Sequence, residues 1–206
     1  MEPNEVKSGQ LSKLEILTRL REPDLKKRLV ITPLLDPSQI GGSSVDLRLG
    51  FSFIFLRRSD IPKIDPLSAN AEEDLEKYQE RVTIRRGGSI YLHPGEFALG
   101  ASIEYVCLPN DLAAYVTSRS SWGRTGLVIA TAISVAPGFR GVITLELANL
   151  GVTPLALRPG IRVAQIVFSQ TQSTVPYTGR YSCPTFPEFG KIYQDAEIPF
   201  LRGQES

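Results

Sequence analysis

The sequence predicts a mainly β fold, a sandwich, barrel or jelly roll, on three observations. Glycine (17) and proline (15) are plentiful among its 206 residues, and they fall between short apolar segments, as turns between strands do. Several of those segments alternate, as in Phe51-Ser52-Phe53-Ile54-Phe55, which is the period of a half-buried strand. No internal repeat or low-complexity linker divides the chain, and its length suits one domain with a sizeable core, so residues 1–206 read as a single domain.

Taken in order, the chain opens with a short helix over about 12–22. Ser12-Lys13-Leu14-Glu15 has the spacing of a capping box, Leu14, Leu17 and Leu20 recur at helical intervals, and Pro23 stops the run. A barrel over about 40–170 follows. Within it, Ala69 to about Arg81 reads as a helical excursion between strands, anchored by Leu75 and Tyr78, its charge run a solvated face. Val82-Thr83-Ile84 runs into the turn Arg86-Gly87-Gly88, Ile90-Tyr91-Leu92 into His93-Pro94-Gly95, and Phe97 to Ala101 comes next. Further strands are expected at Ala114–Thr117, Leu127–Ile133, Val142–Ala148 and Ile161–Phe168. From about 171 to 206 the chain carries Pro176, Pro184, Pro187 and Pro199 with few periodic apolar residues, and reads as an extended tail packed on the barrel or on a neighbour.

Composition excludes several functions. Lys+Arg 23 against Asp+Glu 22 gives a net charge of +1, so no global basic field steers the chain to nucleic acid. No apolar run approaches the roughly 18 residues of a membrane span, and the opening MEPNEVKSGQ has no apolar signal core, which makes the cytoplasm the expected location. One histidine, His93, and two distant cysteines, Cys107 and Cys183, cannot supply the ligand set of a zinc deaminase or a structural zinc site. The two thiols are expected to be free. No P-loop occurs. Chemistry must therefore come from carboxylates, hydroxyls, arginines and backbone.

Two constellations can supply it. Ser118-Arg119-Ser120-Ser121-Trp122-Gly123-Arg124 gathers guanidinium forks, hydroxyls and a glycine just after a strand, a set that matches phosphate oxygens; the plainer reading is a surface loop with incidental arginines. In Val142-Ile143-Thr144-Leu145-Glu146-Leu147-Ala148-Asn149, strand geometry places Ile143, Leu145 and Leu147 on one face and Thr144, Glu146 and Ala148 on the other. Partial burial of Glu146 between a Thr and an Ala would raise its pKa and suit it to moving protons. The plainer reading is a strand glutamate paired with an arginine or facing water.

The order of GSSVDLRLG (Gly42 to Gly50), HPGEFALG (His93 to Gly100), SRSSWGRTGL (Ser118 to Leu127), APGFRGVITLELAN (Ala136 to Asn149) and RPGIRVAQIVF (Arg158 to Phe168) resembles that of the dCTP deaminases, in the superfamily that also contains trimeric dUTPases. The resemblance implies a distorted jelly-roll β-barrel of the dUTPase-like type, a homotrimer with active sites between subunits, and dCTP + H₂O → dUTP + NH₃ without a catalytic metal. Mg²⁺ enters only as the triphosphate's counterion, and no zinc is needed. By position, the resemblance makes Glu146 the proton shuttle, with Ser120 and Arg124 holding the water and base edge and orienting the carboxylate. It assigns Arg119 and Ser121 to the triphosphate and the backbone of Thr144 and Leu145 to the base. Tyr177, Lys191 and Gln194 correspond to lid residues that close on the phosphates, in a tail whose stretch Thr178 to Gly190 is longer than usual. His93 reads as structural, Gln165, where the family also has Gln, as structural or as a support behind the contact residues, and Asp46 as fixing a turn or an intersubunit hydrogen bond.

The sequence departs from the family pattern in three places. Where the family reads I-D-P-G-F or I-D-A-G-F, this chain has Val135-Ala136-Pro137-Gly138-Phe139, so the aspartate that meets the deoxyribose, and activates water in dUTP-cleaving members, is Ala136. Trp122 replaces a smaller apolar residue, and the segment between Gly126 and Pro137 is about one residue short and lacks the histidines common there. Two alternatives stay open: a nucleotide-binding member with altered specificity or no turnover, and a dUTP pyrophosphatase or bifunctional deaminase–pyrophosphatase, which Ala136 disfavours.

Overall fold

The computed structural model describes residues 9–57, 61–129, 134–171 and 177–203. The elements, in chain order, are α1 (Lys13–Leu20), β1 (Val30–Thr32), β2 (Val45–Arg48), β3 (Ser52–Leu56), α2 (Ala71–Tyr78), β4 (Gln79–Thr83), β5 (Ile90–Leu92), β6 (Phe97–Cys107), β7 (Leu112–Ser118), α3 (Ser120–Gly123), β8 (Leu127–Ile129), β9 (Ser134–Val135), β10 (Arg140–Asn149), β11 (Leu155–Leu157), β12 (Arg162–Gln170) and α4 (Ile198–Leu201). One sheet runs β4-β3-β6-β10-β8, with β1 paired to the far half of β6; a second runs β2-β12-β7-β9; β11 and β5 form a two-stranded ribbon. The main sheets close on one core that includes Val45, Leu47, Phe53, Val116, Leu145, Leu147, Ile166 and Phe168. The mainly β jelly roll is therefore what the chain adopts.

The first helix starts where the capping box placed it. Ser12 Oγ accepts the Glu15 N–H at 3.4 Å and the Glu15 carboxylate accepts the Ser12 N–H at 2.8 Å, which satisfies donors the first turn leaves unpaired. Its buried face differs from the expected one. Ile16 is fully buried with Leu17 and Leu20 packed beside it, whereas Leu14 stays 73% exposed. Arg19 on the same helix grips both oxygens of Asp111 at 2.6 and 2.9 Å, and that grip turns the Ile16 face toward the core.

The excursion is shorter than its polar pattern suggests. Its helix ends at Tyr78, because Gln79–Thr83 pairs in register with Ser52–Leu56 at the edge of the sheet. The strand expected at Leu127–Ile133 is seen as Leu127–Ile129, and residues 130–133 lie outside the described residues, as does Pro176. Strands β1, β2, β9 and β11 were not anticipated; each is four residues or fewer, too short for a period to show.

Strand β10 positions the chemistry. It pairs with β6 so that Glu146 lies opposite Leu99 and Thr144 opposite Ala101, with a bulge between Val142 and Thr144. The Ser102 hydroxyl fills the bulge, accepting the Ile143 N–H at 2.9 Å and donating to the Glu104 carbonyl at 2.7 Å. Bulges of this kind re-aim the residues beside them. Gly100 lets the layers approach, since a Cβ there would lie 3.0 Å from Leu49 and 3.3 Å from Leu147. Ile143, Leu145 and Leu147 are buried while Thr144, Glu146 and Ala148 are half-buried, the alternation the sequence predicts. The side chain of Leu145 belongs to the core, so only its backbone is available to a ligand.

Candidate active site

The polar face of β10 forms the floor of a cavity of about 540 Å³, within the range of small-molecule pockets. Thr144 and Glu146 come from β10, Phe97 and Leu99 from β6, and Leu56 and Gln79 from β3 and β4. Cross-strand pairing puts these on one face, because Glu146 opposes Leu99, Leu99 opposes Ile54, and Leu56 opposes Gln79. Ile64, with Leu75 and Tyr78 of the excursion, makes one wall, and Ala136 and Phe139 another. The residues read as anchors of a solvated excursion thus enclose the site, while its Glu73–Lys77 pair faces water.

Glu146 makes no hydrogen bond or ion pair among the described residues, and burial alone holds its pKa above the usual carboxylate value. The shift has the sign that suits a proton carrier, because a carboxyl in dry surroundings keeps its proton to higher pH. The roof is the tail. Tyr177, which meets Phe139 edge-on at 5.7 Å, together with Tyr181, Pro184, Glu188 and Phe189, lies across the opening. The tail is pinned to β10 by the Val142 N–H on the Pro184 carbonyl at 2.8 Å and the Glu188 N–H on the Thr144 hydroxyl at 3.4 Å. Arg81 of β4 holds its other side, donating to the Pro187 carbonyl at 3.2 Å and stacking 4.3 Å from the Phe189 ring. The tail packs on its own chain.

Of the tail residues singled out by sequence, Tyr177 lines the cavity but Lys191 and Gln194 do not. Lys191 Nζ pairs with Glu188 at 3.0 Å and lies over the Tyr181 ring, and the Gln194 amide donates to Tyr193. Glu188, Tyr181 and Phe189 are site residues that sequence reasoning missed. Their signal is the long stretch Thr178 to Gly190, which carries Tyr181, Glu188 and Phe189.

The second constellation lies elsewhere. Strand β7 ends at Ser118, where its pairing with β12 ends. Ser120–Gly123 then form a single helical turn, and Gly126, at φ +93°, folds the chain against Gly151 and into β8. Ser120, Ser121 and Arg124 are exposed and have no side-chain partner among the described residues. Arg119 is half-buried with its Nε 3.5 Å from Asp46. None of these side chains lines the Glu146 cavity, so one protomer does not bring the two constellations together. Trp122 locks the loop through its Nε1–H to the Arg162 carbonyl at 3.0 Å.

Asp46 does not fix a turn. It sits on β2, almost buried, accepting from Gln165 at 3.0 Å and from Arg162 at 3.3 Å while facing Arg119, so it holds one of the loop's guanidinium groups in place. Gln165 stands behind Asp46 as its donor, and the backbone N–H of His93 donates to the Glu96 carboxylate at 2.7 Å in the turn after β5. Both cysteines are free; burial pushes the Cys107 thiol up, and Cys183 is exposed. Among the described residues no group of three or more His, Cys, Asp or Glu gathers as a metal site, and no helix is long and apolar enough to cross a membrane.

A jelly roll with a carboxylate raised by burial in a largely apolar cavity, and an exposed Arg/Ser loop apart from it, suits a nucleotide-processing class, and comparison with known proteins identifies which. Residues 10–171 match the dCTP deaminase-like family, and the chain belongs to it. A dCTP deaminase of Haloarcula marismortui is 44% identical over 196 residues, covering 91% of this chain and 97% of its own. A dUMP-forming dCTP deaminase of Methanobrevibacter smithii is 43% identical over 179 residues, covering 83% and 91%. The fold matches the crystal structure of 2′-deoxycytidine 5′-triphosphate deaminase from Agrobacterium tumefaciens with a TM-score of 0.60 at 24% identity, over 80% of this chain and 49% of that one, so this chain spans about half its length.

Proposed function

We propose that this protein hydrolyses dCTP to dUTP and ammonia, at a site completed between the subunits of a homotrimer, with barrel, helix and tail working as one domain. The observation that carries the reading is Glu146, an unpaired carboxylate raised by burial on the floor of an enclosed apolar cavity. As water attacks C4, Glu146 takes its proton and delivers it to N3. The carboxylate then moves the hydroxyl proton to the 4-amino group, the C4–N bond breaks, and ammonia leaves as the carbonyl forms. Thr144 and Leu145 offer backbone groups to the base.

The partner subunit's loop supplies what the cavity lacks. Ser120 and Arg124 hold the water and orient the carboxylate, while Arg119 and Ser121 bind the triphosphate, which carries Mg²⁺ with it as counterion. The exposure of Ser120, Ser121 and Arg124, with no side-chain partner among the described residues, supports this, since guanidinium forks and hydroxyls bind phosphate oxygens best when no internal pair competes, while Asp46 holds the half-buried Arg119 in place. Closed cyclic symmetry repeats one such heterologous contact three times. A cytoplasmic location fits two free thiols and a deoxynucleotide substrate.

The product is dUTP rather than dUMP. Relatives of both kinds stand at nearly equal identity, so local chemistry has to decide. Cleavage at the α-phosphate needs a base for a second water, and Ala136, in the cavity wall, has no ionisable group. The test is ammonia release and product chromatography with dCTP, dUTP and CTP. Ammonia and dUTP from dCTP support the reading. Nucleotide binding without ammonia points to a non-catalytic member, and dUMP with pyrophosphate to the bifunctional one.

A further inference from the structure

The geometry points to Glu188 as a specificity-determining residue of this site, accepting a hydrogen bond from the sugar hydroxyl of the bound nucleotide. The inference rests on the cavity being the nucleotide site. It begins with charge: among the described residues that line the cavity, only Glu146 and Glu188 carry charged side chains. A pocket whose charged groups are carboxylates repels phosphate, so what enters it is the neutral, hydrogen-bonding part of the ligand.

Glu188 is built to stay in place. Its backbone N–H is held by the Thr144 hydroxyl at 3.4 Å, two positions before Glu146 on the same strand face. On either side, Pro187 and Phe189 are fixed by Arg81. One carboxylate oxygen, Oε2, takes Lys191 at 3.0 Å, and the other has no partner among the described residues. A carboxylate can accept several hydrogen bonds, so the free oxygen is available to a ligand donor. The backbone of Glu188 is tied to the Thr144–Glu146 strand and its other carboxylate oxygen to Lys191. A nucleotide runs base, sugar, phosphate; with Glu146 at the base and the phosphates kept out by charge, the neutral group left to meet Glu188 is the sugar. The wall of the same cavity formed by the methyl of Ala136 and the ring of Phe139 offers no side chain that can accept a hydrogen bond. Glu188 also lies outside the 10–171 span that matches the family, so this contact belongs to the tail of this chain.

The test compares binding and turnover of dCTP with those of 2′,3′-dideoxy-CTP, which lacks the hydroxyl, in wild type, Glu188→Ala, Glu188→Gln and Lys191→Met. Wild type should prefer dCTP by about tenfold or more, the usual worth of a hydrogen bond to a charged group. Glu188→Ala should bring that ratio to within about twofold, Glu188→Gln should keep part of it through its amide oxygen, and Lys191→Met should weaken both nucleotides equally with the ratio intact. A ratio unchanged in Glu188→Ala, or a wild type indifferent to the hydroxyl, overturns the inference while leaving the deaminase reading standing. A wild type that binds neither nucleotide overturns both.

Discussion

The polar face of β10 and the loop after β7 carry comparable chemical weight and are built in opposite ways. Glu146 stands on a central strand, paired to β6 along its length, roofed by aromatic side chains and raised by burial. Ser120, Ser121 and Arg124 stand on a single helical turn at a sheet end, in water and without internal partners. Proton transfer benefits from a dry, rigid wall, whereas recognition of a triphosphate needs cations that can desolvate onto it. The cavity is walled by one protomer and the loop stands apart from it, and the proposed division of the site between subunits rests on that separation.

The sharpest way to break this contrast is Glu146→Gln. Turnover should fall by about 10²-fold or more, with dCTP binding retained in calorimetry. The same change should stabilise the protein near neutral pH. A carboxyl whose folded pKa is raised has its favourable contribution intact below the unfolded value of about 4.5 and loses it as pH rises through the folded one. The gain in melting temperature, about 2–4 °C for each kcal/mol relieved, should appear at pH 7 and vanish near pH 4. Turnover in the wild type should rise along its acid limb at a pH above the ordinary glutamate range. Glu104 shares the raised pKa, by burial against hydrogen bonds from Arg48 N–H and Gln39, but lies away from the cavity and should affect stability alone.

Next in size is the loop. Arg119→Ala should weaken triphosphate binding by about 1.5–3 kcal/mol and leave deoxycytidine unaffected. The fold should tolerate the change, because Asp46 keeps Arg162 and Gln165. Equal losses for dCTP and deoxycytidine would assign Arg119 to the scaffold instead.

Much of this was readable from sequence wherever the signal is local. The Ser12–Glu15 box and the alternation around Glu146 need only short-range geometry. What the chain covers with what was not readable. Leu75 and Tyr78 looked like anchors of a solvated helix because polarity reports water, not the cavity on the other side. Leu14 has the right spacing but the wrong face, since Arg19–Asp111, a contact between distant residues, sets the rotation of α1. The resemblance assigns Lys191 to the lid, yet Glu188 reaches the cavity, because the crossing of the tail is set by Arg81 and Thr144. Asp46 reads as fixing a turn or an intersubunit hydrogen bond, because its strand is too short to announce itself.

Two smaller effects refine the picture. Gly141 faces Pro184 so closely that a Cβ would collide with its ring, so Gly141→Ala should push the tail from β10. Overpacking of this kind costs about 1–3 kcal/mol, to be seen as a rise in dCTP KM and faster proteolysis of the tail with barrel melting little changed. Ala136→Asp, which adds an acceptor to the cavity wall, should tighten dCTP by about 0.5–1.5 kcal/mol, checked by calorimetry. Should the aspartate also introduce dUMP formation, the product assignment to Ala136 gains direct support.

The division of the site between subunits is best tested by complementation. Glu146→Gln and Arg124→Ala protomers, each inactive alone, are co-refolded in equal amounts and assayed for ammonia release from dCTP. In a cyclic trimer every mixed assembly contains one site built from an intact Glu146 and a neighbour's intact loop, so random mixing should restore about a quarter of wild-type activity. Activity that stays at the level of the separate variants would place both constellations in one protomer and contradict the account.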